Sequence, residues 1–145
     1  MKKFLWITIL ILLAVAYIGG YWPEHQKLRA AQQAAAEAQQ GMASAQAIAR
    51  LCKLENDLLA LIGQTENQNY GEARDLSRVF FDNLRQEIDR NPNASYKQDL
   101  ETMLATRDAV TAGLARADAT TAAALRQNLA QMQQLLQRLT SQANL

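Results

Sequence analysis

Residues 4 to 22 constrain this chain more than any other stretch. Lys2 and Lys3 precede an apolar run without a charged residue from Phe4 to Ile18, which Gly19, Gly20, Tyr21 and Trp22 close and Pro23 ends. As a helix rising 1.5 Å per residue, Phe4 to Trp22 is about 28 Å long, close to the hydrocarbon thickness of a bilayer. Trp6 near one end and Tyr17, Tyr21 and Trp22 near the other match the aromatic belts of a spanning helix. The expected division is a short cytoplasmic tail at 1–3, a transmembrane signal anchor at 4–22, a helical stalk at 24–46 and a helical bundle at 47–145.

The same stretch also reads as a cleavable secretory signal, because Ala14-Val15-Ala16 has the small-x-small form of a cleavage site. Cleavage after Ala16 leaves Tyr-Ile-Gly-Gly-Tyr-Trp as an exposed apolar terminus, so the uncleaved anchor is the favoured reading. Lys2, Lys3 and the amino terminus outweigh Glu24, Lys27 and Arg29 only slightly, and the positive-inside rule puts the N-terminus in the cytoplasm. The expected product is a single-pass protein, of the inner membrane with its C-terminal domain in the periplasm if the host is bacterial. A three-residue tail is too short for a signalling module, so messages would pass through the span or to a neighbouring membrane protein. Ala16 and Gly20, four residues apart, form a small-xxx-small face on which a second span could pack.

Beyond Pro23 the chain is polar and nearly neutral. Lys2 and Lys3 belong to the fifteen Lys and Arg, which leaves thirteen from residue 24 onward against fourteen Asp and Glu. Nucleic acid demands a basic stripe to neutralise phosphates, and a polybasic lipid-binding patch is missing too. With only two Pro and six Gly, and with Ala, Leu, Gln, Arg and Glu dominant, the fold class is all-α: one N-terminal transmembrane helix, an Ala-rich stalk and an antiparallel helical bundle.

Leu28, Ala31, Ala35, Ala38, Met42, Ala45, Ala49 and Cys52 recur with the alternating three-four spacing of a coiled-coil seam. Half of residues 30 to 49 are Ala, so the seam is weak and the stretch reads equally as a lone stalk. Large side chains then replace Ala at Ile48, Leu51, Leu54, Leu58, Leu59, Leu61 and Ile62, where a core begins. Cys52 has no partner for an intramolecular disulfide, and its apolar neighbours predict a buried thiol.

Asn69 with Glu72 predicts a capping box for a second helix whose inward face carries Ala73, Leu76, Phe80, Leu84 and Ile88, stopped by Asn91-Pro92-Asn93. Ser95 with Gln98 predicts another, ahead of Tyr96, Leu100, Met103, Val110 and Leu114 on a single helix. Asp118 is the expected N-cap of the last helix, with Ala122, Leu125, Leu129, Met132, Leu136 and Leu139 inward.

The sequence presents no constellation for catalysis, cofactor or metal. The one histidine, His25, follows the span directly, the Glu-x-x-His pairs of di-iron bundles are missing, and no phosphate loop or nucleophile elbow occurs. Asp82, Glu87 and Asp89 with Arg78, Arg85 and Arg90 are expected to form surface helix pairs. Asn69-Tyr70-Gly71-Glu72-Ala73 followed by Phe80 resembles the turn and second helix of a tetratricopeptide repeat. Pro92 comes about two turns late for that pattern, and no second copy follows at the roughly 34-residue period, so no family is assigned.

Three functions stay open at this point. The first is a non-catalytic interaction or scaffold protein that is anchored in the bilayer, binds other cell-envelope proteins and self-associates weakly; its architecture resembles small bitopic envelope subunits. The second is a ligand-binding sensor bundle, as in chemoreceptor ectodomains, although those return through the membrane and this chain has one span. The third, if cleavage follows Ala16, is a secreted soluble helical protein.

Overall fold

The structure is a computed structural model that describes the backbone of residues 2–143 and the side chains of residues 29–142. The expected span with Phe4, Trp6, Tyr17, Tyr21 and Trp22, the Ala16/Gly20 face, the Pro23 boundary and His25 lie outside the described side chains. Every regular element is helical: α1 (Lys2–Glu66), α2 (Tyr70–Arg90), α3 (Lys97–Leu104), α4 (Arg107–Ala115) and α5 (Thr121–Ala143). The chain is all-α, as its composition predicts. Among the described residues no helix is long and apolar enough to cross a membrane.

Backbone contacts divide the chain into Met1–Ala43 and Ser44–Leu145. In the first unit every described residue, Arg29 to Ala43, is exposed. The seam positions Ala31, Ala35, Ala38 and Met42 thus face solvent within this chain, Met42 with 59 % of its surface accessible.

The second unit is a bundle of four legs: α1 from Ser44, α2, α3 with α4, and α5. Cross-helix polar pairs set its direction. Arg50 meets Glu87 and Asp57 meets Asn83 between α1 and α2; Tyr96 meets Glu87 and Arg107 meets Asp82 between α2 and the third leg. Asp99 meets Arg138 and Thr106 meets Asn128 between the third leg and α5, and Glu66 meets Arg126 between α1 and α5. At each of the three consecutive interfaces residue numbers rise along one helix while they fall along its neighbour, so the legs alternate in direction, and the last pair closes the ring. Links of three, six and five residues are short enough to require this arrangement.

The core gathers Leu51, Leu54, Leu58 and Leu61 from α1, Phe80, Phe81 and Leu84 from α2, Leu100, Met103, Val110 and Leu114 from the third leg, and Leu125, Met132 and Leu135 from α5. Phe80 and Phe81 meet edge to face with centroids 5.0 Å apart, an arrangement worth about 0.5–1.5 kcal/mol beyond the area buried. Two expectations for α1 fail. Cys52 is exposed, not a core thiol, and Leu59 is 45 % exposed. At 100° per residue, Leu51, Leu54, Leu58, Leu61 and Ile62 already fill the buried face, and positions 52 and 59 turn past its edge. In α5 the expected Ala122, Leu125, Met132 and Leu136 are buried, Asn128 and Leu135 join them, and Leu129 and Leu139 lie at the flank, partly buried.

The expected caps also differ. Asn69 precedes α2 but makes no capping bond; its amide donates to Gln64 Oε1 at 3.0 Å. The residue before α3 is Tyr96, not Ser95, and again no side chain caps the helix. α2 does end at the Asn-Pro-Asn turn, with Asn91 outside the helical region at φ −128° and ψ 65°, in keeping with the bias against helix before proline. Asp118 Oδ1 accepts from Thr120 N at 2.9 Å and Thr120 Oγ1 at 2.7 Å, fastening the turn just before α5.

The single third helix predicted from sequence is broken at Ala105-Thr106. Thr106 N donates to Met103 O at 3.1 Å, one residue short of the α-helical register, and Thr106 Oγ1 donates to the same carbonyl at 2.8 Å. Asn128, 1 % exposed in α5, donates its amide to Thr106 Oγ1 at 2.8 Å. The break is thus tied to α5 through a hydroxyl that only Thr or Ser supplies.

Past the break, α4 ends with Ala117 at φ 54°, Ala117 N bonded to Leu114 O at 3.2 Å and Asp118 N to Gly113 O at 2.9 Å. α1 ends in the same way, with Gln68 at φ 60° and bonds from Gln68 N to Thr65 O and Asn69 N to Gln64 O. Both are Schellman closures whose left-handed residue is not the usual glycine. Gly113 serves a different need: a methyl there would overlap Thr121 Oγ1, so its hydrogen lets the end of α4 close against the start of α5.

Gly113→Ala should cost about 1–3 kcal/mol in denaturant unfolding, and less when Thr121→Ala removes the overlapping hydroxyl. Ser77, 3 % exposed on α2, has no hydrogen-bond partner for its hydroxyl. Burying that group unpaired costs about 1–3 kcal/mol, so Ser77→Ala should raise the unfolding midpoint.

Candidate functional site

The largest departure from sequence expectation is Glu87, which is not a surface pairing residue but 3 % exposed. It sits one turn beyond Leu84 and beside Ile88, on the buried stripe of α2. Its Oε1 accepts from Asn91 Nδ2 at 2.8 Å and from the Tyr96 hydroxyl at 3.0 Å. Its Oε2 accepts from Arg50 Nε at 2.9 Å, and Arg90 Nη1 stands 3.7 Å away. An ionised carboxylate taken out of water requires such a set of donors. Asn91 adds a structural bond of its own, its backbone N–H reaching Glu87 O at 3.2 Å.

The electrostatics follow the geometry. The hydrogen bond and charge of Glu87 hold the Arg50 guanidinium above its ordinary pKa, against the opposing effect of burial. Burial first, and then the bond to Glu87, raise the Tyr96 hydroxyl above the usual phenol range. With both oxygens engaged, Glu87 is arranged to fix its neighbours in place.

Beside this cluster α1 and α2 enclose a groove of about 250 Å³, into which Arg50, Lys53, Asn83, Gln86 and Arg90 project polar groups over Leu54. Asp57, on its wall, accepts from Asn83 Nδ2 at 3.1 Å. Elsewhere on the bundle the ion pairs match one cation to one carboxylate: Arg107 with Asp82, Arg126 with Glu66, Arg138 with Asp99 and Lys97 with Glu101. At the groove, Arg50 and Arg90 share Glu87.

Of the other residues singled out from sequence, Asp82 pairs with Arg107 and Arg78 stands 3.8 Å from Asp75, both on the surface. Among the described residues no group of three or more His, Cys, Asp or Glu is placed to hold a metal ion. The Glu87 cluster escaped the sequence reading because Arg50 lies 37 residues before it on α1 and Tyr96 nine after it, just ahead of α3. The available signal was local: a charged residue at a position that continues Phe80 and Leu84 on one helix face. Compared with protein-family models, with curated proteins and with solved structures, the chain matches none.

Tyr96→Phe isolates one arm of the cluster. A hydrogen bond to a charged group contributes about 1.5–3 kcal/mol, and the variant should lose roughly that much at neutral pH. The Tyr96 hydroxyl has a raised pKa in the folded state, so its contribution is complete below the ordinary phenol value and disappears as pH rises through the raised one. Stability measured against pH should therefore fall on the alkaline side in the parent protein and fall less in Tyr96→Phe.

Proposed function

We propose that this protein is a membrane-anchored interaction or scaffold protein of the cell envelope, without catalysis of its own. The observation that carries the reading is the run Phe4 to Trp22, long enough to span a bilayer, set ahead of an all-helical bundle. In this reading residues 24 to 46 are the stalk, the basic start of the chain holds the N-terminus in the cytoplasm, and the bundle faces outward, into the periplasm of a bacterial host. The exposed positions Ala31, Ala35, Ala38, Met42, Ala45, Ala49 and Cys52 on α1 suit lateral contact with other envelope proteins or weak pairing with a second copy. The Ala16/Gly20 face would bring two spans together in the same arrangement.

The rival reading rests on Ala14-Val15-Ala16 and makes the mature protein a secreted helical bundle. Fractionation of cells that produce the full chain separates the two. An anchored protein should stay in the membrane pellet through alkaline carbonate and high salt, because burial of the apolar run is insensitive to both, and should keep its original N-terminus. A soluble product that begins at Tyr17 would overturn the proposal.

A further inference from the structure

The α1/α2 groove differs from the rest of the bundle surface in its balance of charge. Three cations, Arg50, Lys53 and Arg90, converge there with two carboxylates, Glu87 and Asp57. Glu87 is closed to a further cation, whereas Asp57, half-buried on the groove wall, has one oxygen engaged. Glu87 is buried with three hydrogen-bond donors on its two oxygens and the Arg90 guanidinium 3.7 Å away, and Asp57 Oδ2 accepts from Asn83. Lys53, exposed and three residues from Arg50 on one helix face, has no ionic or hydrogen-bond partner among the described residues.

Arg50 is held in a particular way. Its Nε is fixed on Glu87 Oε2, while 32 % of its side chain remains accessible. A guanidinium anchored through one nitrogen to a buried carboxylate loses little further freedom when its open edge meets a second oxyanion. Arg90 bonds Gln86 Oε1 through Nη2 at 3.2 Å, and its side chain is 51 % exposed. Two preset guanidiniums, a free ammonium and the carboxamides of Asn83 and Gln86 make a donor-rich wall around about 250 Å³. That space suits one compact anionic group and is below the size of a pocket for a drug-sized ligand.

We infer that the α1/α2 groove binds a doubly charged tetrahedral oxyanion, a phosphate or sulfate group, between Arg50, Lys53 and Arg90. Arg50 supplies the oriented donor, Lys53 an ammonium that no ion pair holds among the described residues, and Arg90 the opposite wall. The groove lies within the second unit, so the inference does not depend on whether the chain is anchored. Free phosphate and the headgroup of an anionic lipid share this chemistry.

The test uses the full chain in a non-ionic detergent above neutral pH, where inorganic phosphate is a dianion. Thermal unfolding is followed as phosphate is titrated against sodium chloride at matched ionic strength, so that screening alone gives no difference. Phosphate should raise the midpoint saturably. Lys53→Ala removes a side chain with no partner among the described residues, so the variant should unfold normally without phosphate and need at least tenfold more of it for the same shift. Lys97→Ala, whose lysine is paired with Glu101 away from the groove, should respond like the parent. Mixed micelles with phosphatidate form the second arm. A response to inorganic phosphate identifies a free ligand, and a response to phosphatidate alone, lost in Lys53→Ala, identifies a lipid headgroup. Identical curves in phosphate and chloride with no phosphatidate response, or a shift that Lys53→Ala leaves intact, would overturn the inference.

Discussion

A carboxylate with almost no solvent access cannot remain charged unless the protein replaces the water it has lost. Glu87 imposes that requirement on three parts of the bundle at once: Arg50 on α1, Asn91 at the end of α2 and Tyr96 at the threshold of α3. Each donor must arrive at hydrogen-bond distance, and each arrival fixes a different helix. Apolar packing of Leu51, Phe80, Leu100 and Leu135 drives the collapse but tolerates small slides of one helix along another. Directional bonds to one fixed pair of oxygens do not tolerate them. At this end of the bundle, register is set by polar chemistry.

The opposite end uses smaller means to the same effect. Gly113 brings α4 against Thr121, Asp118 fastens the turn that follows, and Asn128 reaches the Thr106 hydroxyl in the middle of the third leg. None of these contacts is large, and all join segments close in sequence or directly facing. The bundle is therefore gripped at its α2–α3 corner by charge and at its α4–α5 corner by close approach.

Features that depend on periodicity were legible in the sequence. The helical class, the stop at Asn91-Pro92-Asn93 and the inward residues Tyr96, Leu100, Met103, Val110 and Leu114 follow from spacing and proline stereochemistry, and the structure has them. Part of what failed depends on partners distant in sequence. On α5 the expected Ala122, Leu125, Met132 and Leu136 are buried, but the buried Asn128 beside them was missed because its partner Thr106 lies 22 residues away in the third leg. Cys52 has apolar neighbours in sequence, yet faces outward, because position within a turn and not local composition decides burial. The caps at Asn69 and Ser95 failed since their side chains had other outlets or lay outside the helix. The groove, assembled from residues some forty positions apart, left no local trace beyond one glutamate on an apolar face.

The division of the third leg has a consequence for the order in which the molecule assembles. α3 has eight residues and α4 nine, each well below the length at which a helix persists by itself in water. α2 and α5, with 21 and 23 residues, are long enough to populate helix before they dock. The third leg then has no independent existence as secondary structure. It is a templated element, whose helicity is conferred by the surfaces of α2 and α5 against which it packs.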